Sequence, residues 1–289
     1  MAAASPGTFA VVATPIGNLG DLSPRAAEIL GQVDEILCED TRHTAQLLRH
    51  LGLHKPLTSL HAYNEAERVG QVLAGLAQGR HYALVSDAGT PCLSDPGAQI
   101  VEAVQQGGYA LTSVPGPFAT ATALAGSGLV AVPFAFWGFL AKKASERRQQ
   151  LRDRLRPGPQ GAMSHAFYAP GRDLLEFMDD IAEVAPYSRV VVARELTKIH
   201  EGWLRGTAAQ VRGAIRPEQL CGEAVVLVQV QDSDVVQKQE TAMDPGALVR
   251  AARQSGADRK KALREIALKT GLSRNELYAL WLQDGEIEP

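Results

Sequence analysis

The stretch LVSDAGTPCLSDPG, residues 84–97, leads an apolar strand directly into a loop of small residues. Ser86 and Asp87 open this loop, and a second Ser-Asp pair follows at Ser94 and Asp95. In an open α/β sheet, ligands bind outside the carboxyl ends of the strands. A tight loop with two carboxylates at such a strand end therefore predicts a ligand site.

Short apolar runs alternate with longer amphipathic runs on both sides of this stretch. The alternation is typical of strands and helices around a mostly parallel sheet, and it predicts an N-terminal α/β lobe over residues 9–130. Ser23 followed by Pro24 predicts the start of one helix, and Asn64 with Glu65 the start of another. The strands predicted in this lobe are FAVVAT, DEILCED, LTSLHAY, YALVSD and ALTSVP.

A second series of runs predicts a C-terminal α/β lobe over residues 131–231. Its helices are expected at about 144–156 and 171–185. The segment RPGPQGAM is rich in proline and glycine and predicts a mobile loop. The polar sequence QDSDVVQKQETAMDPG after the lobe predicts a linker. The strands predicted here are FAFWGFL, SHAFYAP, RVVVARE and EAVVLVQV.

The composition limits the partners and the compartment. The chain has 289 residues, 45% hydrophobic content and a formal net charge of -3, so contact with nucleic acid must come from local basic patches. Binding to bare duplex DNA is not expected. Three widely spaced cysteines argue against a disulfide framework and a zinc site and indicate a reducing cytosol. Neither a secretory leader nor a long apolar run is visible, so we expect a soluble cytoplasmic protein.

Two segments are locally basic. Residues 250–274, within a helical tail predicted over 244–289, have a local charge of +6, and residues 142–156 have one of +5. The tail pattern resembles a helix-turn-helix with Ser273 as a cap, although its second helix has few side chains suited to reading base edges. Both segments predict contact with a polyanion through its backbone or shape, but either could be an ordinary solvated helix face.

Polar or small-residue segments follow every predicted strand of the N-terminal lobe. No dinucleotide fingerprint or P-loop is among them. Small residues let the backbone approach a flat, adenosine-like ligand, whereas the alternative is that these segments are only tight turns. The segments are TPIGNLGD (14–21), EDTRHT (39–44), HAYNE (61–65), SDAGTP (86–91) and PGPFATAT (115–122), with YAPGR (168–172) and ARELTKIHE (193–201) in equivalent places of the second lobe.

The segment EDTRHT is the densest polar cluster of the first lobe. Carboxylates, a guanidinium and an imidazole together suit proton transfer and phosphate binding, but they could equally form a structural ion-pair network. The same alternatives hold for the charged residues of ARELTKIHE. The candidates for the general base or for charge stabilisation are Glu39, Asp40, His43 and Lys198, with Arg42 and Arg194 as orienting or phosphate-binding partners.

In their order along the chain, these segments resemble the ribosomal RNA small subunit methyltransferase I family, the ribose 2′-O-methylating branch of the tetrapyrrole methylase superfamily. The resemblance covers residues from about 9 to 230, and the basic tail matches the family's C-terminal extension. The matching segments are VATPIGNLGDLSPRA, EDTRHT, LVSDAGTPCLSDPG, VPGPFA, ALAGSGL, GFL, ARELTKIHE and the pair Gly222-Glu223.

The resemblance implies a two-lobe class III methyltransferase of α/β fold with a small helical C-terminal extension. It also implies S-adenosylmethionine in the cleft between the lobes, a cytidine ribose in the decoding region of small-subunit RNA as methyl acceptor, and a homodimer. No metal is required by this chemistry. The chain departs from the family's usual Glu-Ser-Pro-His-Arg at YAPGR, which puts a catalytic acid or histidine at that stretch in doubt.

Site residues follow from the same resemblance. The implied catalytic residues are Glu39, Asp40, Arg42, His43 and Lys198. The implied RNA-binding residues are Arg194, Arg259, Lys260 and Lys261. The implied cofactor-binding residues are Pro15, Ser86, Asp87, Ala88, Gly89, Ser94, Asp95, Pro115, Gly116, Ala119, Gly222 and Glu223.

Two other functions are compatible with parts of the sequence. A methyltransferase of small tetrapyrroles would share the lobes and the cofactor, but EDTRHT, ARELTKIHE and the basic tail weigh against it. A non-catalytic RNA-binding or assembly factor could have kept the cofactor fold, and the altered YAPGR stretch leaves room for that.

Overall fold

In the part of the chain that the structure describes, two five-stranded sheets are followed by three helices. The computed structural model describes residues 5–159, 161–230, 245–270 and 274–283. Contacts divide the chain into two compact units, and both sheets belong to the first unit, which ends at Val230. The boundary between two lobes that the sequence predicts at residues 130 and 131 lies inside that unit, so it remains a prediction.

The first sheet is parallel in all its pairings, as predicted. Its order is β3-β2-β4-β1-β5, so the strands with the most polar loops, β2 and β4, are neighbours in the middle. The predicted strands are all present, although each is shorter than its apolar run. They are β1 (Thr8–Val12), β2 (Glu35–Cys38), β3 (Leu57–Ser59), β4 (Tyr82–Leu84) and β5 (Ala110–Val114).

Helices cover the first sheet, and local sequence fixes where they begin. The Ser23 side chain accepts a hydrogen bond from the backbone N–H of Ala26, with Pro24 at the first helical position, as predicted. Asp40 caps the next helix in the same way. The helices are α1 (Pro24–Gln32), α2 (Thr41–His50), α3 (Glu65–Ala77), α4 (Ala98–Gln106) and α5 (Ala119–Ser127).

The second sheet is mainly antiparallel, so the expectation of mostly parallel pairing is wrong for this half of the chain. Its order is β6-β7-β10-β8-β9, and only β6 and β7 run parallel. The strand β9, with glycine at both ends, was not predicted. The strands are β6 (Phe134–Phe139), β7 (Met163–Pro170), β8 (Arg189–Arg194), β9 (Gly202–Gly206) and β10 (Glu223–Val230), and the helices are α6 (Ala144–Arg154), α7 (Leu174–Val184) and α8 (Ala208–Ala214).

Helix α5 connects the two sheets. It follows the last strand of the first sheet, yet its buried residues Ala123 and Leu124 pack against Val191 and Val225 of the second sheet. The chain between α5 and β6 therefore joins two elements that share one apolar cluster. Burial of this shared surface holds the sheets together.

The basic segment 142–156 does not present its charges to solvent as expected. Arg147 is buried, and its guanidinium Nε donates a hydrogen bond of 2.5 Å to the buried carboxylate of Asp180 on α7. Arg148 donates to the same carboxylate, and Arg152 pairs with Glu183. Most of the positive charge of α6 is therefore neutralised by α7, which favours a structural role over binding of a polyanion.

The described residues of the tail form three helices with a small core of their own. Its helices are α9 (Pro245–Gln254), α10 (Arg259–Thr270) and α11 (Arg274–Gln283). Val249, Leu263, Ile266 and Leu277 form the core. The predicted linker up to residue 244, the Ser273 turn and Gln160 of the predicted mobile loop lie outside the described residues.

Candidate active site

A cleft of about 280 Å³ opens where the carboxyl ends of the first sheet face the second sheet. This volume is near the lower end of the range for small-molecule sites. Loops after β2, β4 and β5 line one side, and the ends of β7, β8 and β10 line the other. The predicted site residues that line it are Glu39, Asp87, Ala88, Gly89, Ser94, Asp95, Ala119, Lys198 and Glu223.

The SDAGTP loop is held by its own backbone and by two neighbouring loops. Thr14 and Gly89 exchange backbone hydrogen bonds of 2.9 and 3.1 Å, and the Ser86 hydroxyl donates to the Gly89 carbonyl. The Thr90 hydroxyl donates to the Pro117 carbonyl at 3.0 Å. Gly89 has a φ of +85°, a conformation that favours glycine. The loop is therefore preformed at the edge of the cleft.

Asp87 connects this loop to the EDTRHT segment. Its Oδ1 accepts a hydrogen bond of 3.0 Å from the backbone N–H of Asp40. The Asp40 side chain faces the other way: it caps α2 and pairs with Arg42 at 2.8 Å. Hydrogen bonds from Arg42 hold the pKa of Asp40 well below its ordinary value. A carboxylate with so low a pKa is a poor proton acceptor, so the structure favours a structural role for Asp40.

The second Ser-Asp pair is positioned by a buried carboxylate. Glu65, at the start of α3, accepts hydrogen bonds of 3.0 and 2.8 Å from the backbone N–H groups of Gly97 and Gln99. This carboxylate supplies the cap that Gly97 cannot give to α4. The backbone before it is tightly wound, because Ser94 has a φ of 75°. Asp95 is thereby fixed at the wall of the cleft.

Four carboxylates of the cleft are close enough to affect one another. Burial, together with the negative charges of Glu39, Asp87 and Glu223, raises the pKa of Asp95 to about 6. Like charges in a half-buried site are unfavourable unless a cation is added. The cleft is therefore suited to a positively charged ligand.

Glu195 and Lys198 line the wall from the second sheet. Burial alone would raise the pKa of Glu195, but hydrogen bonds from the Glu223 N–H and the Lys198 ammonium, with nearby positive charge, lower it on balance. Gly222 allows this contact, since an added Cβ would lie 2.1 Å from Glu195 Oε1. Glu195 therefore fixes both Lys198 and the start of β10.

Aromatic rings form the rest of the cleft wall. Phe118, Phe139 and Tyr168 line it. Phe136 contacts Phe118 and Tyr168 edge-on, and Phe139 contacts Tyr168 in the same way. Burial raises the pKa of the Tyr168 phenol, which keeps it neutral. Apolar rings beside carboxylates suit a ligand with a flat part and a charged part. Tyr168 belongs to the YAPGR stretch, whose Arg172 is exposed.

Several predicted site residues do not line the cleft. His43 is exposed on α2, and Pro15, Ser86, Pro115, Gly116 and Gly222 contribute to the loops behind the wall. Arg194 is only 6% exposed, and its guanidinium donates to the Cys221 carbonyl. That burial favours a structural role over contact with RNA.

Other lining residues were not predicted. Ile16, Phe118, Phe139, Tyr168 and Leu196 are apolar or aromatic, and such residues carry no sequence signal that separates a ligand wall from a core. Glu195 lies inside ARELTKIHE, but the charge pattern of that segment pointed to Arg194, Lys198 and Glu201 instead. In the described residues, no group of three or more His, Cys, Asp or Glu is arranged to hold a metal ion.

The fold and the cleft define the class of protein. Residues 8–212 match the family model of tetrapyrrole (corrin/porphyrin) methylases. Among solved structures, the methyltransferase CobJ superposes with a TM-score of 0.57 at 21% identity, covering 77% of this chain and 93% of that one. Uroporphyrin-III C-methyltransferase from Thermus thermophilus, complexed with S-adenyl homocysteine, superposes with a TM-score of 0.50 at 15% identity over 77% of this chain and 96% of that one. The chain is a tetrapyrrole methylase by fold.

Sequence relatives give the narrower assignment. The ribosomal RNA small subunit methyltransferase I of Xylella fastidiosa is 43% identical over 95% of this chain and 98% of its own length. That of Escherichia coli O157:H7 is 37% identical over 96% of both chains. The chain therefore belongs to the ribosomal RNA small subunit methyltransferase I family.

Proposed function

We propose that this protein transfers a methyl group from S-adenosylmethionine to the ribose 2′-hydroxyl of a cytidine in the decoding region of small-subunit ribosomal RNA. The observation that carries the proposal is the preformed acidic cleft, in a chain 43% identical over nearly its full length to a relative of that name. The chemistry of the cleft is consistent with this substrate pair, as the following contacts indicate.

The residues of the cleft fit the cofactor. S-adenosylmethionine supplies a methyl group activated by a positively charged sulfur. Asp87, Asp95 and Glu223 offset positive charge, because an added cation relieves their mutual repulsion. The small residues Ala88 and Gly89 let the backbone approach the ligand closely. The related fold solved with S-adenyl homocysteine supports the same choice of cofactor.

The reaction needs an in-line approach of the ribose oxygen to the methyl carbon at roughly 3 to 3.5 Å, with water excluded. The rigid loops and the aromatic wall serve that positioning. Glu39 is the proton acceptor in this proposal, because it lines the cleft and, within the described residues, its carboxylate accepts no hydrogen bond. Lys198, held by Glu195, stabilises negative charge on the ribose oxygen.

RNA outside the cleft is bound by the tail in this proposal. Arg259, Lys260 and Lys261 are exposed on α10, which supports contact with phosphates. Arg194 is not included because it is buried. We propose a cytoplasmic location, because the substrate in this proposal is small-subunit RNA. Independently of that, none of the helices in the described residues combines the length and apolar character that a bilayer crossing requires.

We further propose a homodimer, as the family resemblance implies. Exposed apolar side chains support an interface along the edge strand β6, where Val130, Val132 and Phe134 face solvent. Apolar patches of this kind are typical of protein interfaces. Light scattering of the purified chain tests this, and a monomer at micromolar concentration would contradict it.

The decisive test is transfer of labelled methyl from S-adenosylmethionine to small subunits that lack the modification. Wild-type protein is expected to label one ribose, identified by its resistance to alkaline cleavage. Glu39→Gln is expected to lower kcat by about 100-fold while cofactor affinity stays within about threefold, since the base acts only in the chemical step. Glu102→Gln, at an exposed carboxylate of α4, is the matched control.

Three outcomes would contradict parts of the proposal. No labelling of RNA by wild-type protein would refute the function, and labelling of a small tetrapyrrole instead would assign the other methyltransferase class. Full activity of Glu39→Gln, with a loss in Asp95→Asn or Glu223→Gln, would move the base to that residue.

A further inference from the structure

The turn after β3, the edge strand next to β2, presents an aromatic ring to solvent. Tyr63 is 87% exposed, and one face of its ring stacks on His61, with centroids 5.1 Å apart and planes inclined by 18°. The other face of the tyrosine ring is open. The exposed face of the ring is therefore available for stacking on a flat ligand.

This turn is rigid. The backbone N–H of His61 donates a hydrogen bond of 2.7 Å to Asn64 Oδ1, and the Asn64 N–H donates back to the His61 carbonyl at 3.0 Å. The Asn64 side-chain amide also donates to the Ser59 carbonyl. The Tyr63 ring is therefore carried by a fixed backbone, which lowers the entropy lost when a partner binds against it.

The position of the turn relates it to the active site. β2 and β3 are parallel neighbours with Cys38 opposite Ser59, and the Leu60 N–H donates to the Cys38 carbonyl at 2.8 Å. The turn therefore leaves the sheet at the same edge and the same level as Glu39, which lines the cleft. Arg42 lies three residues after Glu39, beyond the end of β2. Its side chain is 88% exposed.

We propose that the His61–Tyr63 pair is a stacking platform for an unpaired base of the RNA substrate, next to the nucleotide that is methylated. The proposal rests on the proposed function. Bases of single-stranded RNA stack on aromatic side chains regardless of sequence, and a neighbouring cation binds the backbone phosphate. Tyr63 supplies the open ring face. Arg42, which pairs with Asp40 on one side but is 88% exposed, supplies N–H donors to the phosphate.

The test measures steady-state methyl transfer to unmodified small subunits, with cofactor affinity measured separately by calorimetry. Tyr63→Ala is expected to raise the KM for subunits about tenfold, with kcat and cofactor affinity within about twofold of wild type. Tyr63→Trp keeps a flat ring and is expected to retain the wild-type KM. Tyr187→Ala is the matched control, because Tyr187 is also exposed but precedes β8, whose opposite end reaches the cleft.

Each other outcome has a defined meaning. A KM for Tyr63→Ala within about twofold of wild type overturns the platform, and so does an equal rise in Tyr187→Ala. Loss of the dimer in Tyr63→Ala, seen by light scattering, would assign the ring to a protein interface instead. If wild-type protein transfers no methyl group to RNA, the proposed function fails before the variants are compared.

Discussion

Helices α6 and α10 are both rich in arginine and lysine, yet they use the charge differently. On α6, Arg147, Arg148 and Arg152 pair with acidic residues of α7. On α10, Lys260 and Lys261 are exposed, and within the described residues neither forms an ion pair. Local net charge in a sequence therefore does not report how much charge is free to bind a partner, because the acidic partners can lie in a distant segment.

The largest effect is expected from breaking the buried pair on α6. Arg147→Ala leaves the buried Asp180 carboxylate with only the partly exposed Arg148, and removal of one partner from a buried pair costs about 3 kcal/mol or more. The free energy of unfolding, from urea titration, is expected to fall by that amount. Arg152→Ala, which breaks an exposed pair on the same helix, is expected to cost less than about 1 kcal/mol.

Equal costs for the two arginine variants would contradict this distinction. The salt dependence of RNA affinity gives a second measurement. If α6 is structural, neither variant is expected to change it. If the slope of log RNA affinity against log salt were smaller for Arg152→Ala, α6 would instead contribute to RNA binding.

A smaller effect on stability and a clear effect on binding are expected for α10. Replacing Lys260 and Lys261 together with alanine is expected to change the free energy of unfolding by less than about 0.5 kcal/mol, since both are exposed. RNA affinity is expected to fall, and the slope of log affinity against log salt to decrease by about 1.4 to 1.8 units for two lost phosphate contacts. An unchanged slope in filter-binding measurements would contradict the role proposed for the tail.

The cleft is a third arrangement, in which like charges lie together. The effect expected here, on the pH dependence of cofactor affinity, is the smallest of those predicted. Because the pKa of Asp95 is raised to about 6, a cationic ligand must displace a proton from it below that pH. S-adenosylmethionine affinity, measured by calorimetry, is expected to fall at most about tenfold between pH 7 and pH 5. In Asp95→Asn this pH dependence is expected to be lost.

The same shift has a consequence for stability, with a defined sign. A carboxyl group whose folded pKa is raised stabilises the fold below its unfolded pKa and loses that contribution as the pH rises through about 6. Asp95→Asn is therefore expected to raise the melting temperature of the ligand-free protein at pH 7.5 and to leave it unchanged at pH 4. A variant that melts lower at pH 7.5 would show that the ionised carboxylate is stabilising.

The sequence predicted the first lobe well because its signals are local. Ser23 and Pro24 mark a helix start within one turn, and an apolar run that ends at Ser86 marks a buried strand end. Family resemblance then brought Glu39, Asp95 and Glu223 into one site, and all three line the same cleft. Parallel topology makes such convergence predictable, since parallel strands end at the same edge.

What sequence could not supply depends on pairing between distant segments. Antiparallel pairing of β10 with β7 and β8 is set by the register of long apolar runs, which would look the same in a parallel sheet. The direction of the Asp40 side chain, toward α2 rather than the cleft, depends on the cap it forms. Burial of Arg194 against the Cys221 carbonyl likewise joins residues far apart in the chain.

The apolar face of helix α5 is synthesised before the strands that cover it. Its apolar side chains emerge with the first half of the chain, but the strands that cover them end only at Val230, roughly 100 residues later. At a bacterial elongation rate of about 5 to 20 residues per second, synthesis of the chain from α5 to the end of β10 takes some 5 to 20 seconds. During that interval the apolar face of α5 is only partly covered, and a chain that ends before β10 lacks the contacts of Val225 and Leu227.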